Sequence, residues 1–364
     1  LGILSKMAKE KEFKDSIQCI KNIKSPGYIS TGSFALNGIL SGDVYKGVPD
    51  NTIVALVGQS NSGKSFLMAH MVREAIRNGF EVLLFDSERA VRPEFYESLG
   101  CDTSKIFRIP VGTVSKLKVE AYKNIKAFYD RAGPKDKLYV GVDSMGNLAS
   151  IKEMADVEKG KTVADQGTSA KDQNSAFRII ASLATDYDFP LVFTNHTYAP
   201  IGDLFASRDK IAGGSKAIYN SHIIIYVDRL VNKEEVEDAL GKKKKTHVGI
   251  RIKATTIKNR EYPEENTVYL DLRYDTGLNP FSGLLQFAIR AGVIQNKPRG
   301  YLVTATGKTV FEKDINKPEI YDEEALKKIN EWLGQNGYSS LSDIFSDDVA
   351  KALGEGNGEE ESLQ

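Results

Sequence analysis

Cysteine is nearly absent. Two residues, Cys19 and Cys101, in a chain of 364 give no disulfide framework and no thiolate metal spacing, and they fit a reducing compartment. The four histidines lie far apart, which argues against a zinc cluster. No run approaches the ~18–20 consecutive apolar residues of a membrane helix, and no secretory pattern opens the sequence. A cytoplasmic protein with no membrane partner is therefore expected. An excess of one charge is missing too: 49 basic residues balance 49 acidic ones. Without a bulk positive field, any binding of nucleic acid must come from a local patch, and salt should weaken it.

What is present is the composition of a globular protein, 41% hydrophobic and 27% charged. The length allows one large domain with one or two small ones. In residues 1–24, Ile3, Met7, Phe13, Ile17 and Ile20 recur at roughly helical spacing, and Ser25-Pro26-Gly27 ends the pattern. Two readings stand for this segment: a helix packed on its own domain, or an arm that docks on a neighbouring subunit.

From residue 52 onward short apolar runs alternate with helical patterns. The strand candidates are TIVALVG, EVLLFDSE, KIFRIPV, KLYVGVDS and PLVFTNH. KSFLMAHMVREAIRNG and SKLKVEAYKNIKAFYDRAG read as helices between them. Such alternation indicates βαβ units around a mostly parallel sheet, an α/β fold. SHIIIYVDRLV, THVGIRIKATTIK and NTVYLDLRYD then follow with almost no helix between them, as antiparallel strands added to the sheet edge. The expected partition is an arm over 1–27, a large α/β core over 28–279, a small C-terminal domain over 280–353, and an acidic, disordered tail over 354–364.

The strand TIVALVG runs into GQSNSGKS, a match to the phosphate-binding pattern G-x-x-x-x-G-K-[ST]. Glycines let backbone N–H groups face a polyphosphate, and the helix behind them presents its positive end. Gly58, Gln59, Ser60, Asn61, Ser62, Gly63, Lys64 and Ser65, with Phe66 next in line, are therefore expected to bind ATP. Lys64 would reach the β and γ phosphates, and Ser65 would take a Mg²⁺ position. Asp143, closing the apolar strand KLYVGVD, is the second expected metal ligand. A strand-tip aspartate is also a common cap, but its place in this domain favours the metal. Asp86 and Glu88, after LLF, are both placed to orient water for attack on the γ-phosphate, and spacing alone does not choose between them. Asn195 and His196 end the last parallel strand at the same carboxyl edge, where open α/β sheets bind ligands. A contact from His196 to the γ-phosphate is expected there; a purely structural histidine is the alternative.

These stretches together resemble the RecA family of recombinases. ISTGSFALNGILSGDVYKGVPDNTIVALVGQSNSGKS, FDSERAVRPEFYESLG, VDSMGNLAS, FTNHTY and GGSKAIYNSHIIIYVDR follow its order. DSMGNLAS, NHTY and PFSGLLQFAIRAGVI most resemble the phage, UvsX-type branch. The likeness covers about residues 28–295.

It implies a RecA-like P-loop core and a DNA-dependent ATPase that forms a helical homo-oligomer on single-stranded DNA. Such a protein pairs that strand with homologous duplex DNA, aided by a mediator and a single-stranded DNA-binding protein, in the cytoplasm of an infected bacterium. By the same resemblance Glu88 is the catalytic glutamate, and His196 stands where many members carry the glutamine that senses the γ-phosphate. Lys258 and Arg260 are cations that reach a neighbouring subunit's ATP; taken alone, IKNRE reads as a solvated strand end. Phe95 falls near the adenine-stacking aromatic, with a core role as the alternative, and Arg92 departs from the family's acidic base contact.

Residues 149–173 and 198–216 lack a strong apolar pattern, and the resemblance makes them the two DNA loops. Lys159, Lys161, Lys171, Arg208, Lys210 and Lys216 are the expected phosphate contacts. Phe205 could stack on bases, and Gly213 and Gly214 would let the backbone approach the strand. Lys242 to Lys245 read as a solvated hairpin tip, or as a secondary duplex-binding patch. The acidic tail could compete with DNA for basic surface. Two other functions share parts of this pattern: a hexameric replicative helicase and a regulatory ATP-binding assembly protein.

Overall fold

The computed structural model describes residues 2–10, 19, 24–160, 166–198, 210–211, 220–237, 243–274 and 276–337. Its centre is a ten-stranded mixed sheet. From one edge the order is Gly277–Leu278, Thr267–Arg273, Lys243–Asn259, Ile223–Glu237, Ile53–Gly58, Leu191–Tyr198, Lys137–Asp143, Phe80–Asp86 and Ile106–Pro110, with Lys210–Ile211 paired beside Leu191–Tyr198. The strands from Ile223–Glu237 to Ile106–Pro110 run parallel, and those on the other side of Ile223–Glu237 are antiparallel.

The apolar runs are continuous because the parallel strands are covered on both faces. Along Ile53–Gly58 the side chains alternate: Val54 and Leu56 enter one core, and Ile53, Ala55 and Val57 enter the other. Phe80–Asp86 does the same, with Val82 and Leu84 on one side and Leu83 and Phe85 on the other. The first core is covered by helices Phe34–Ser41 and Lys64–Arg77, the second by Val114–Tyr129 and Gln166–Tyr187.

The described residues of the segment 149–173, read from sequence as irregular, are largely helical. They include Ile151–Glu158 and the first turns of Gln166–Tyr187. The first of these helices starts in a reciprocal cap: the Ser150 amide donates to Glu153 Oε2 at 2.7 Å, and the Glu153 amide donates to Ser150 Oγ at 3.1 Å. The hairpin between Ile223–Glu237 and Lys243–Asn259 is longer than the apolar pattern suggests. Backbone pairing continues through charged residues, from Lys243 opposite Glu237 to Thr246 opposite Glu234.

Beyond 280, helix Leu285–Arg290, a three-stranded sheet (Ile294–Lys297, Gly300–Val303, Lys308–Val310) and helix Glu323–Gln335 form a lobe. Its Leu284, Phe287, Ile329 and Leu333 join the core that also holds Leu67 and Met71 of the Lys64–Arg77 helix. The lobe thus completes the main core. At the other terminus the described helix is Ile3–Met7, with Ile3 and Leu4 exposed. Residues 11–18 and 20–23 of the expected arm lie outside the described residues, as does the tail over 354–364. No helix among the described residues is long and apolar enough to cross a membrane.

Candidate active site

The strand Ile53–Gly58 delivers the chain to the carboxyl edge, where the loop turns into the Lys64–Arg77 helix. Glycine is required at both ends of that loop. A Cβ on Gly58 would lie 2.1 Å from the Val227 carbonyl oxygen. Gly63 has φ 102, and its Cβ would lie 2.6 Å from Ile252 Cδ1. Lys64 is buried and donates to the carbonyl oxygens of Gly58 (2.9 Å) and Gln59 (2.7 Å). Burial pushes its pKa down, and the nearby Asp143 and Glu88 oppose that push. The buried Ser62 hydroxyl has no hydrogen-bond partner among the described residues.

A cleft of about 360 Å³ opens over this loop, lined by residues 60–66 with Glu88, Asp143 and His196. Asp143 is buried and accepts a hydrogen bond from Thr194 Oγ1 at 2.5 Å, and the Ser65 hydroxyl bonds to it as well. Burial raises the Asp143 pKa, with Glu88 and Asp86 adding to the rise against those two hydroxyls. A cation beside it would reverse that cost. An orphaned buried hydroxyl, a buried ammonium on two carbonyls and a helix N-terminus fit a polyphosphate. Ser65 and Asp143 are oxygen donors of the kind Mg²⁺ takes.

Asp86 and Glu88 take different places. Asp86 is fully engaged: Oδ1 accepts from the amides of Glu88 and Ala90 (3.1 Å each), and Oδ2 accepts from the Val91 amide (3.3 Å) and Arg108 Nε (2.6 Å). It folds the turn that carries Glu88. The Glu88 carboxylate reaches into the cleft, where Oε1 meets Ser144 Oγ at 2.7 Å, Asn147 Nδ2 at 2.8 Å and His196 Nε2 at 2.8 Å. Burial works to raise its pKa, but the bonds from Ser144 and His196 and the charge of Lys64 outweigh it and hold the group below its ordinary value. His196 Nδ1 lies 3.3 Å from Ser60 Oγ, so the ring spans the loop and the glutamate.

Other expected residues lie elsewhere. Phe95 is not part of the cleft lining. It packs edge-on to Phe66 at 4.8 Å and to Tyr96 at 5.4 Å, behind the residue that does line it. Lys258 and Arg260 close the Lys243–Asn259 strand at the opposite end of the sheet. Lys159 and Lys171 are exposed on either side of 161–165, and Lys210 lies in the two-residue strand. Lys161, Phe205, Arg208, Gly213, Gly214 and Lys216 lie outside the described residues. Of the basic run, Lys243 to Lys245 are strand residues, and Lys242 lies outside.

Sequence reading missed Asn147 and Ser144 as partners of Glu88, although both sit within four residues of Asp143. It also missed Arg229, on the strand Ile223–Glu237, and Tyr274, which follows the antiparallel strand Thr267–Arg273; both line the cleft. No linear pattern ties those two to the loop; only the strand register does.

The model of the RecA N-terminal domain family matches residues 5–279. The Recombination and repair protein of Enterobacteria phage T4 is 28% identical over 285 residues, 76% of this chain and 68% of that protein. Protein RecA of Dichelobacter nodosus is 24% identical over 273 residues, 75% of this chain and 72% of its own. Protein RecA of Streptomyces venezuelae is 26% identical over 314 residues, covering 84% and 76%. The family match takes in the P-loop, both acidic strand tips and the antiparallel strands that close the cleft, and by it the chain belongs to the RecA N-terminal domain family.

Proposed function

We propose that this chain is an ATP-dependent recombinase that assembles as a helical filament on single-stranded DNA and promotes homologous pairing and strand exchange with duplex DNA. The observation that carries the reading is the cleft in which Glu88, fixed by Ser144, Asn147 and His196, faces Lys64 and Asp143 over the P-loop. The chain's relatives supply the context: a recombination and repair protein and the RecA proteins. They lend no support to the helicase alternative.

In this reading Lys64 leaves its two carbonyls for the β and γ phosphates of ATP. Ser65 and Asp143 would hold Mg²⁺, which would supply charge stabilisation to the phosphates. Glu88, held ionised, accepts a proton from the water that attacks the γ-phosphate. His196 touches Ser60 of the loop on one side and Glu88 on the other, which suits a sensor of the γ-phosphate. Its strand, Leu191–Tyr198, runs directly into the second expected DNA loop. Lys258 and Arg260 act on the nucleotide of the next subunit, as an arginine finger does. Subunits joined head to tail in this way propagate when the rotation between them does not close a ring.

The test is ATP hydrolysis with and without single-stranded DNA, at low and moderate salt. Stimulation by DNA that fades as salt rises is expected. Hydrolysis indifferent to DNA would overturn the recombinase reading and leave a regulatory ATPase.

A further inference from the structure

The parallel strands have two ends, and the P-loop uses only one. At the amino end of Ile53–Gly58, the next strand begins at Ile223 and runs parallel to it, with Val54 opposite Ile223. On the far side of that strand, Asn259 pairs with Ile223 and Lys258 with Ile224. The next residues outward are Arg260 and His222. Five residue steps along Ile53–Gly58 separate this level from the P-loop, roughly 17 Å. A long side chain does not span that distance, so the group cannot serve the nucleotide site of its own subunit.

His222 is anchored in a particular way. Its amide donates to the Ile53 carbonyl at 2.9 Å, and its Nδ1 accepts from the Ile53 amide at 2.9 Å. An accepting Nδ1 puts the proton of the neutral ring on Nε2. That N–H has no hydrogen bond to another described residue. Burial, then Arg260 and Lys258, push the His222 pKa down, so the ring is a neutral donor within a cationic cluster. Glu264 opposes the push on Lys258 but does not cancel it.

We propose that His222 is a third donor in the Lys258–Arg260 group, directing Nε2–H at the triphosphate held by the P-loop of a neighbouring copy of this chain. The inference rests on the proposed action of Lys258 and Arg260 between subunits and adds a residue to it. The ring differs from the two cations in being fixed to the first residue of the P-loop strand. It therefore ties the position of a neighbour's phosphates to the subunit's own central strand.

Asparagine separates the two halves of the side chain. His222→Asn keeps an acceptor for the Ile53 amide and removes the outward donor, whereas His222→Ala removes both. For His222→Asn the expected result is a melting temperature close to that of the parent. DNA-stimulated kcat should fall about tenfold, below the 10²–10³ of a fully enclosed donor because this one is only partly buried, with little change in KM. Mixing tests the direction of action. Glu88→Ala subunits retain His222, and His222→Asn subunits retain Glu88. In randomly mixed filaments, about a quarter of the interfaces join the intact halves, so turnover should approach a quarter of the parent value and exceed the sum of the two variants alone. A His222→Asn variant with full turnover, or a mixture no better than that sum, overturns the inference while leaving the recombinase reading standing. A parent protein whose hydrolysis ignores DNA removes that reading and this inference with it.

Discussion

At the carboxyl end of the Ile53–Gly58 strand, Lys64, Asp143, Glu88 and His196 meet in one cleft, each held by a hydrogen bond to a neighbour. At the amino end of the same strand, His222, Lys258 and Arg260 gather around the two hydrogen bonds that tie His222 to Ile53. The first set is preorganised: the acids are placed before any substrate arrives, with the Asp143 pKa raised by burial and that of Glu88 held down by its hydrogen bonds and Lys64. The second set has its charges in place but no phosphate within its own subunit to receive them. In the proposed filament, a site divided in this way would hold substrate in one copy and complete its charge balance in another.

The comparison can be broken most sharply at its two ends in parallel. Glu88→Ala is expected to lower DNA-stimulated turnover about 10³-fold, and Arg260→Ala about 10²-fold because Lys258 remains, while ATP binding to dispersed subunits is nearly unchanged in both. Steady-state kinetics together with equilibrium nucleotide titration measure this, and loss of binding in Arg260→Ala would place that cation in its own subunit's cleft. A smaller effect concerns what the carboxyl end costs the fold. Because burial raises the Asp143 pKa, its ionised form opposes folding at neutral pH when no cation is bound. Asp143→Asn should therefore melt a few degrees higher than the parent in chelator and lose the stabilisation that Mg²⁺ and ATP give the parent. A lower melting temperature in chelator would show that the carboxylate is part of the scaffold.

The smallest effect at neutral pH lies between the two ends, at His70 in the middle of the Lys64–Arg77 helix. This ring is 2% exposed, and neither nitrogen has a partner among the described residues. Burial, with Arg73 and Arg77, lowers its pKa to about 4. The unfolded chain takes up the proton first, so stability is complete above about pH 6.5 and is lost as pH falls toward 4, by up to about 3 kcal/mol. His70→Leu should remove that part of the acid sensitivity in melting curves taken from pH 7.5 to 4.5. Equal slopes for the two proteins would assign the loss to other groups.

Much of this was legible in the sequence, for physical reasons. IVALV and KLYVGVD stand out because strands covered on both faces need unbroken apolar runs, and GQSNSGKS stands out because a tight loop tolerates so few residue types. Asp86 and Glu88 could not be told apart by spacing. What separates them is that Asp86 accepts three amides and a guanidinium while Glu88 meets only side chains. Helix Ile151–Glu158 was hidden by its length of 8 residues, too short for a helical period to stand out, although Ser150 and Glu153 spell the reciprocal cap that starts it. The C-terminal strands were missed because only Ile294 of Ile294–Lys297 is buried, and Gln295, Asn296 and Lys297 are exposed in a row, so no alternation marks the strand. Arg229 and Tyr274 enter the cleft through strand register, a property that no local window contains.

Placing cradle and cations at opposite ends of one strand has an arithmetic consequence. In the proposed filament, a row of n copies would hold n cradles and n cation sets, with only n − 1 of them matched. One terminus of the row always presents a loaded nucleotide with nothing over it, and the other presents donors with nothing to grip. The two tips of such an assembly are chemically different objects, so growth and shedding are expected to run at different rates at each.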